Sequence, residues 1–480
     1  MSAPHGSAEC RPLGNDWIPM TSANSHPAAA PVDFVVIGLG PGGEALASLA
    51  ASAGHSVVAV DEHLVGGECP YYGCIPTKMM LRAAESLAES RRASQLAADG
   101  GLTPNWARVA ARVSAKATDN WSDDVAVRRL EQVGARVIHG RGRLAGAADV
   151  EIELPDGQRE RYHARAGIVL NPGTRAASPP IDGLSDTPFW TNRDAVRAGD
   201  APHSLIIIGG GASAVEFAQA FARFGTRVTV VEAGERLIGR DEPEASEALR
   251  SALEADGVQV MTGKQIVRVD HDDSFWLSLR DEDVPLHAER LLVAAGRTPN
   301  LDDIGLSTVG LTPSSISVGD DLRIAEGIWL IGDAAGRGAF THSSMHQSDV
   351  VARQLLDLDG ARTATPIVPH VTFTDPEVAA VGSTEQEARG AGLAFAVGTA
   401  NLGSRGFTHG PGAEGGFVKL VVDTDRQVLV GATAVGPYAG EVLGMLTLAV
   451  HAQVPINTLR SMIYAYPTFH RSVSAALADL

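Results

Sequence analysis

Val32-Asp33-Phe34-Val35-Val36-Ile37-Gly38-Leu39-Gly40-Pro41-Gly42-Gly43 begins as a short apolar run and turns into glycines. An Ala- and Leu-rich stretch follows to about Ala53, then Gly54, then Val57 to Val60 ending at Asp61. By period and breaker residues this reads as strand, glycine-rich turn, helix, strand and terminal acid. The G-x-G-x-x-G spacing has a mechanical reason. Gly38 permits the tight turn, Gly40 lets a pyrophosphate approach the backbone, and Gly43 lets the helix pack on the strand. N–H groups at the helix start can hold phosphate, and Asp61 can accept from a ribose hydroxyl. A glycine-rich turn alone is weak evidence; with both strands and the acid, the pattern points to a dinucleotide.

The unit recurs. Leu205 to Ile208 leads into Gly209-Gly210-Gly211-Ala212-Ser213-Ala214, a helix to about Phe224, Gly225, and a strand Arg227 to Val231 ending at Glu232. Gly38 and Asp61 stand 23 positions apart, as do Gly209 and Glu232. Equal spacing in two copies argues for two dinucleotide sites and an α/β fold with two Rossmann-like domains. Gly209 and Gly211 take the loop roles of the second copy. A carboxylate at Glu232 would bind an adenosine 2′-hydroxyl and repel a 2′-phosphate, which favours NAD(H) over NADP(H). The plainer alternative is an exposed strand-end acid without a role.

Five residues after Asp61 comes Gly66-Gly67-Glu68-Cys69-Pro70-Tyr71-Tyr72-Gly73-Cys74-Ile75-Pro76-Thr77-Lys78, which holds two of the three cysteines. Two structural thiols in a loop is the bland reading. A close pair at a helix start, beside a lysine, favours redox chemistry, because helix N-termini and cations stabilise thiolates. Glu216, in the first turns of the second unit's helix, is expected to pair with Lys78, since a half-buried lysine needs a partner.

At 480 residues the chain is expected to fold as two to four domains. A formal charge of −18 argues against nucleic acid and anionic membranes as partners. No apolar run reaches the ~18 residues of a membrane span, and three cysteines suit a reducing cytoplasm better than a secreted scaffold. No metal site is expected. Residues 1–31, rich in Ala, Ser, Pro and His, read as a disordered tail that is not a signal peptide, with Cys10 an incidental thiol and Met20 a possible start. Residues 77–95 and 104–133 read as helices. A β region with the turn Pro155-Asp156-Gly157 leads to a strand at Ile168-Val169-Leu170.

Together these residues resemble the FAD-dependent pyridine nucleotide–disulfide oxidoreductases, the group of dihydrolipoamide dehydrogenase, glutathione reductase and mercuric reductase. The resemblance covers about residues 32–480. It rests on the paired nucleotide units, Gly66 to Lys78 as GGxCxxxGCxPxK, Gly296-Arg297-Thr298-Pro299-Asn300, Ile331-Gly332-Asp333 and Phe373-Thr374-Asp375-Pro376-Glu377. It implies an FAD-binding domain at 32–172 and 291–365, an NAD(H)-binding domain at 173–290, and a C-terminal α+β dimerisation domain at 366–480. Strands there are expected at Val371 to Thr374, Val378 to Val381, Gly416 to Val422 and Val428 to Val435, with helices at about Glu441 to Ala452 and Ile456 to Met462. The resemblance also implies that Asp333 binds the ribityl chain, that Gly296 belongs to the cofactor site, and that Lys78, paired with Glu216, lies by flavin N5. Cys74 would then be the flavin-side thiol and Cys69 the interchange thiol that meets substrate. Hydride would pass from NADH through flavin to the disulfide, and Cys69 would exchange with a small disulfide or electrophile. A homodimer sharing its active sites is implied.

The chain also departs from that pattern. The disulfide reductases carry a histidine and, five residues on, a glutamate as proton shuttle. Here Tyr466 and Arg471 hold those places, with His470 beside the second. Tyr466 is taken as a catalytic candidate, although a tyrosine with an ordinary pKa near 10 is a poor base at neutral pH. A structural role at a dimer interface is the alternative. Mercuric reductases have tyrosine there, yet the vicinal C-terminal cysteines that hand over mercury are missing, Cys74 being the last cysteine. Ala212 replaces a tyrosine that gates the nicotinamide pocket. Pro70-Tyr71-Tyr72 stands between the cysteines, to shape substrate access or to pack. Asn171-Pro172 replaces Ala-Thr, a minor change, and His342 and His346 are further candidates. Three functions fit: a disulfide reductase, a diaphorase or quinone/electrophile reductase whose cysteines only store electrons, and a non-catalytic redox-sensing or carrier flavoprotein.

Overall fold

The near-continuous apolar runs that open each nucleotide unit form parallel strands buried on both faces, as helix-covered sheets require. In the computed structural model, which describes residues 29–358, 360 and 367–480, the first run is Ala30–Ile37. It lies centrally in an eight-stranded sheet ordered Arg323–Ala325, Ile328–Leu330, Arg159–Leu170, Ala30–Ile37, Val57–Asp61, Arg136–His139, with Arg141–Leu144 and Asp149–Glu153 as a side ribbon. Phe34 pairs with Val57 and Ile37 with Val60, so the strand end feeds Gly38 directly beside Val60 and Asp61. The tail expected at residues 1–31 falls almost wholly outside the described residues.

The second run, Ser204–Ile208, is central in a four-stranded parallel sheet ordered Gln259–Met261, Arg227–Val231, Ser204–Ile208, Arg290–Val293. Its register, Leu205 to Val228 through Ile208 to Val231, matches that of the first unit. A three-stranded antiparallel sheet, Ile266–His271, Phe275–Leu279 and Leu286–Ala288, packs beside it. The expected return to the first unit at residue 291 falls inside strand Arg290–Val293, which pairs with Ser204–Ile208. The chain crosses back instead along the antiparallel ribbon Thr174–Ala176 with Arg297–Pro299.

The C-terminal part is an antiparallel sheet ordered His370–Thr372, Glu377–Gly382, Val428–Gly436, Phe417–Asp423, Phe395–Asn401, covered by helices Ala439–His451, Ile456–Ser461 and Arg471–Ala478. Helix Cys74–Leu96 buries Met80, Leu81, Ala84, Leu87 and Ala88, the three- and four-residue spacing of one helical face. The single helix expected over 104–133 is broken. Trp106–Arg112 runs into a π-helical turn, and Asp119, Asn120 and Trp121 then stand at φ 47°, 54° and 58° before Asp124–Gln132 begins. Asp and Asn tolerate that left-handed region better than most residues. Among the described residues no helix is long and apolar enough to cross a membrane.

Candidate active site

The two glycine loops form for the same steric reason. Gly38 has φ +90°, and a Cβ there would stand 2.2 Å from Asn171 O; Gly209 has φ +109°, and a Cβ would stand 2.5 Å from Ala294 O. In each case the obstacle is the carbonyl that ends the neighbouring strand, so only glycine fits. A Cβ on Gly43 would meet Gly38 O at 2.0 Å, which is the close helix-on-strand packing that the spacing predicts. A Cβ on Gly211 would meet nothing within 4 Å, leaving that backbone open to a ligand.

The two strand-end acids are held alike. Leu39 N donates to Asp61 Oδ2 at 2.6 Å and His63 N to Asp61 Oδ1 at 2.8 Å. Gly210 N donates to Glu232 Oε2 at 2.5 Å and Gly234 N to Glu232 Oε1 at 2.6 Å. Burial pushes the Asp61 carboxyl up, against those backbone N–H bonds.

Cys69 lies in the short helical turn Glu68–Tyr71, and Cys74 is the first residue of helix Cys74–Leu96. Both are free thiols, Cys69 half-buried and Cys74 exposed to the cleft. Cys74 is pushed down to about 6, first by the hydrogen bond from Cys69 and then by Thr341 and the charge of Lys78, against burial. Cys69 is pushed up by that same bond, by burial and by repulsion from Cys74. The pair therefore shares one proton at neutral pH: Cys74 is the thiolate and Cys69 the thiol that donates to it. Thr341 Oγ1 stands 3.6 Å from Cys74 Sγ. The sequence reading missed Thr341. Its signal is the small-residue run Ser343-Ser344, whose helix crosses helix Pro41–Ser52 so closely that a Cβ on Gly42 would lie 2.3 Å from Ser344 Oγ.

Lys78 and Glu216 come together across 138 residues, with Nζ 2.9 and 2.7 Å from the two carboxylate oxygens. Glu216 is only 4% exposed. Phe373 N also donates to its Oε1 at 2.9 Å, and Lys78 Nζ sits 4.8 Å from the centroid of the Phe373 ring. Asp333 accepts from Thr174 Oγ1 at 3.2 Å; burial pushes its carboxyl up, opposed by the Arg297 guanidinium. Asn171 is more than a minor change. It is buried, its Nδ2 donates to Gly38 O at 3.3 Å, and its Oδ1 would stand 2.4 Å from a Cβ on Gly332.

One cavity of about 2680 Å³ joins these groups, lined by both glycine loops, Asp61, Cys69, Cys74, Lys78, Glu216, Glu232, Gly296 and Asp333. Pockets for drug-sized ligands take roughly 300–1,000 Å³, so this one has room for more than one such ligand. Helices Pro41–Ser52 and Ala212–Arg223 both start in it with no side chain capping their first N–H groups. Uncapped helix starts behind glycine loops are built for phosphate. The residues therefore fit a dinucleotide on each of the two loops.

Ala212 lines the cavity at the start of the second helix, and His342 lines it with Nε2 donating to Pro369 O at 2.9 Å. Tyr71 and Tyr72 are buried in the cluster that holds Phe217 and Phe221, and Tyr72 also lines the cavity. Tyr466 is not brought to the cysteines of its own chain. It is 71% exposed beside Ile463, which is 99% exposed.

A family model described as pyridine nucleotide-disulphide oxidoreductase matches residues 32–348, and one described as the dimerisation domain of that group matches 368–477. A dihydrolipoyl dehydrogenase of Chlorobaculum tepidum is 31% identical over 458 residues, 94% of this chain and 97% of that protein. A mercuric reductase of Shigella flexneri is 32% identical over 460 residues, 92% and 80% of the two chains. Among solved structures, the Cu(II) complex of the HOCl-induced flavoprotein disulfide reductase RclA of Escherichia coli matches with a TM-score of 0.82 and 25% identity, over 93% of this chain and 99% of that one.

Proposed function

The chain belongs to the pyridine nucleotide-disulphide oxidoreductases, and from that premise we propose that it oxidises NADH and passes the electron pair through Cys69–Cys74 to a small disulfide or other electrophile. The observation that carries this reading is the sharing of one cavity by two dinucleotide loops, a thiol–thiolate pair and the Lys78–Glu216 ion pair.

When bound, FAD supplies the means to take hydride from the nicotinamide and to deliver two electrons to a disulfide. The residues divide the remaining work. The first loop and Asp61 would hold FAD, with Asp333 and Gly296 as further residues that would contact it. The second loop, Gly209 and Gly211 with Glu232, holds NADH, and the Glu232 carboxylate disfavours a 2′-phosphate. Lys78, fixed by Glu216, keeps a positive charge beside Cys74 and so favours its thiolate. Cys69 keeps the proton and, once it loses it, is the thiol that attacks the acceptor. We assign residues 32–172, with the stretch after ribbon strand Arg297–Pro299 up to 365, to the flavin unit. The second sheet between them forms the nicotinamide unit, and 366–480 forms the dimerisation unit. We place the protein in the cytoplasm as a homodimer in which Tyr466 serves the partner's cysteines.

Anaerobic treatment with one equivalent of NADH followed by alkylation tests this. Two new thiols should appear, both within residues 66–78, and Cys74→Ser should abolish them. If wild type oxidises NADH without exposing thiols, the reading fails. A screen of lipoamide, glutathione and mycothiol disulfides, Hg(II) and quinones then ranks acceptors. Turnover of quinones alone would favour the diaphorase reading, which draws on the small Ala212 at the cavity wall.

A further inference from the structure

The loop between the cysteines is gripped at Tyr72 from outside its own unit. Tyr72, two positions before Cys74, has two guanidiniums over its ring: Arg193 Cζ is 4.8 Å and Arg197 Cζ 4.9 Å from the ring centroid. Arg197 also donates through Nη2 to the Tyr72 hydroxyl at 2.9 Å, and its Cζ stands 5.3 Å from the Trp121 ring. Arg193, Tyr72, Arg197 and Trp121 thus form an alternating cation–π ladder, each step within the ~6 Å at which such contacts are felt. The main chain is tied as well. Asn192 Nδ2 donates to Tyr72 O at 2.8 Å and to Glu68 Oε2 at 3.0 Å, and Arg193 Nε donates to Glu68 Oε1 at 2.6 Å. Its neighbour Tyr71 is pinned through its hydroxyl to Val65 O at 3.2 Å and Ser122 O at 3.3 Å.

Both ends of the ladder are firmly placed. Asn192, Arg193 and Arg197 share the short helix Asn192–Arg197. That helix follows Trp190, whose N donates to Leu291 O at 2.7 Å and whose O accepts from Val293 N at 2.8 Å, so the clamp rides on the second sheet. At the far end, Trp121 ends the run of three left-handed non-glycine residues, a backbone that persists only where its surroundings over-determine it. Its Nε1 is buried with no hydrogen-bond partner among the described residues, a further cost of holding the ring there.

We propose that Arg193 and Arg197 are positioning residues for the Cys69–Cys74 couple, holding the intervening loop in the shape that suits the open dithiol. The inference rests on the reading of these cysteines as a reversible disulfide. Closing the bond removes two electrons and the one proton the pair shares, and draws the sulfurs to about 2.05 Å. Tyr71 and Tyr72, held at ring, hydroxyl and carbonyl, resist any shift of the loop that closing the bond asks for. The contacts of the clamp are all made around the pair with its thiols free, and we take that arrangement as the one it favours. The grip therefore shifts the balance toward the dithiol, and does so from the second nucleotide unit.

The test equilibrates the holoenzyme anaerobically in glutathione buffers, where protein disulfide and two glutathiones exchange for protein dithiol and glutathione disulfide. Alkylation and mass spectrometry then give the dithiol:disulfide ratio. Arg197→Met keeps bulk at an exposed position and should lower that ratio about tenfold at fixed buffer, about 30 mV for a two-electron couple. Tyr72→Phe, which loses only the hydroxyl contact, should shift it the same way by less, and Arg197→Lys should recover part of the loss. A ratio unchanged or raised in Arg197→Met and Tyr72→Phe, with wild type titrating reversibly, overturns the clamp alone. If wild type never forms the disulfide in any buffer, the reading it rests on falls as well.

Discussion

Asp61 and Glu232 hold the same post in two copies of one unit. Each accepts the N–H of the residue after its loop's first glycine and the N–H two residues beyond itself. The acid thus braces the loop it serves, and both acids line the cavity. Glu232→Ala should raise KM for NADH tenfold or more while leaving that for NADPH unchanged or lower, because the 2′-phosphate is no longer repelled. Steady-state kinetics with both nucleotides decide it; an unaltered NADH:NADPH preference rejects the assignment.

The charge on Lys78 should be legible in the titration of Cys74. That thiol is pushed down to about 6 by the Cys69 bond first, then by Thr341 and Lys78. Its thiolate is present above that pH and lost below it. Lys78→Met should move the alkylation profile of Cys74 to higher pH, and a rise of one unit would cut the rate at pH 6 about fivefold. Iodoacetamide labelling of the reduced protein across pH measures this. Because Lys78→Met leaves Glu216 buried with only the Phe373 N–H, the double variant with Glu216→Gln controls for general loosening.

Much of this site could be read before any coordinates. The loops, Asp61, Glu232, the cysteine pair and the Lys78–Glu216 contact follow from local rules: glycine where a carbonyl blocks a Cβ, an acid at a strand end, a cation where a carboxylate is buried. What escaped was set by packing between distant segments. Thr341 reaches Cys74 only because helix Thr341–Leu355 crosses helix Pro41–Ser52 at Gly42. Arg193 and Arg197 look like solvated charges until the tertiary fold sets them on Tyr72. The return to the flavin unit expected at residue 291 falls inside the strand Arg290–Val293 of the second sheet, because an apolar run does not name its neighbour.

Lys419 ties the second nucleotide unit to the C-terminal sheet and should be among the costliest residues to lose. It is 3% exposed, with Glu242 Oε2 at 3.0 Å, Glu244 Oε1 at 2.9 Å and Glu385 Oε2 at 3.0 Å. Burial works against its charge, but hydrogen bonds to the three carboxylates overcome that and push it up. A raised lysine lends its stability in full below the unfolded value near 10.4 and loses it only in stronger alkali. Lys419→Met leaves the buried Glu242 its Glu385 N–H but no counter-charge, and should cost about 3–5 kcal/mol. Thermal unfolding near neutral pH should show a clear fall in Tm; a change within the error of the melt would mean that water already serves that carboxylate.

Tyr466 gives the sharpest test of the assembly. It stands outside the cavity of its own chain, 71% exposed next to the fully exposed Ile463, so any chemistry it performs must be on another copy. Cys69→Ser and Tyr466→Ala should each be inactive as homodimers. In a mixed dimer one site pairs two defects, while the other unites an intact Cys69 with an intact Tyr466. Random co-assembly of equal amounts should then restore about a quarter of wild-type activity, as two-fold symmetry requires when each site draws on both subunits. If Tyr466 acted within its own chain, both sites of the mixed dimer would carry a lesion and nothing would return. If Tyr466→Ala alone stayed active, the residue would be interface filling, and the proton for Cys69 would have to come from elsewhere in the cleft.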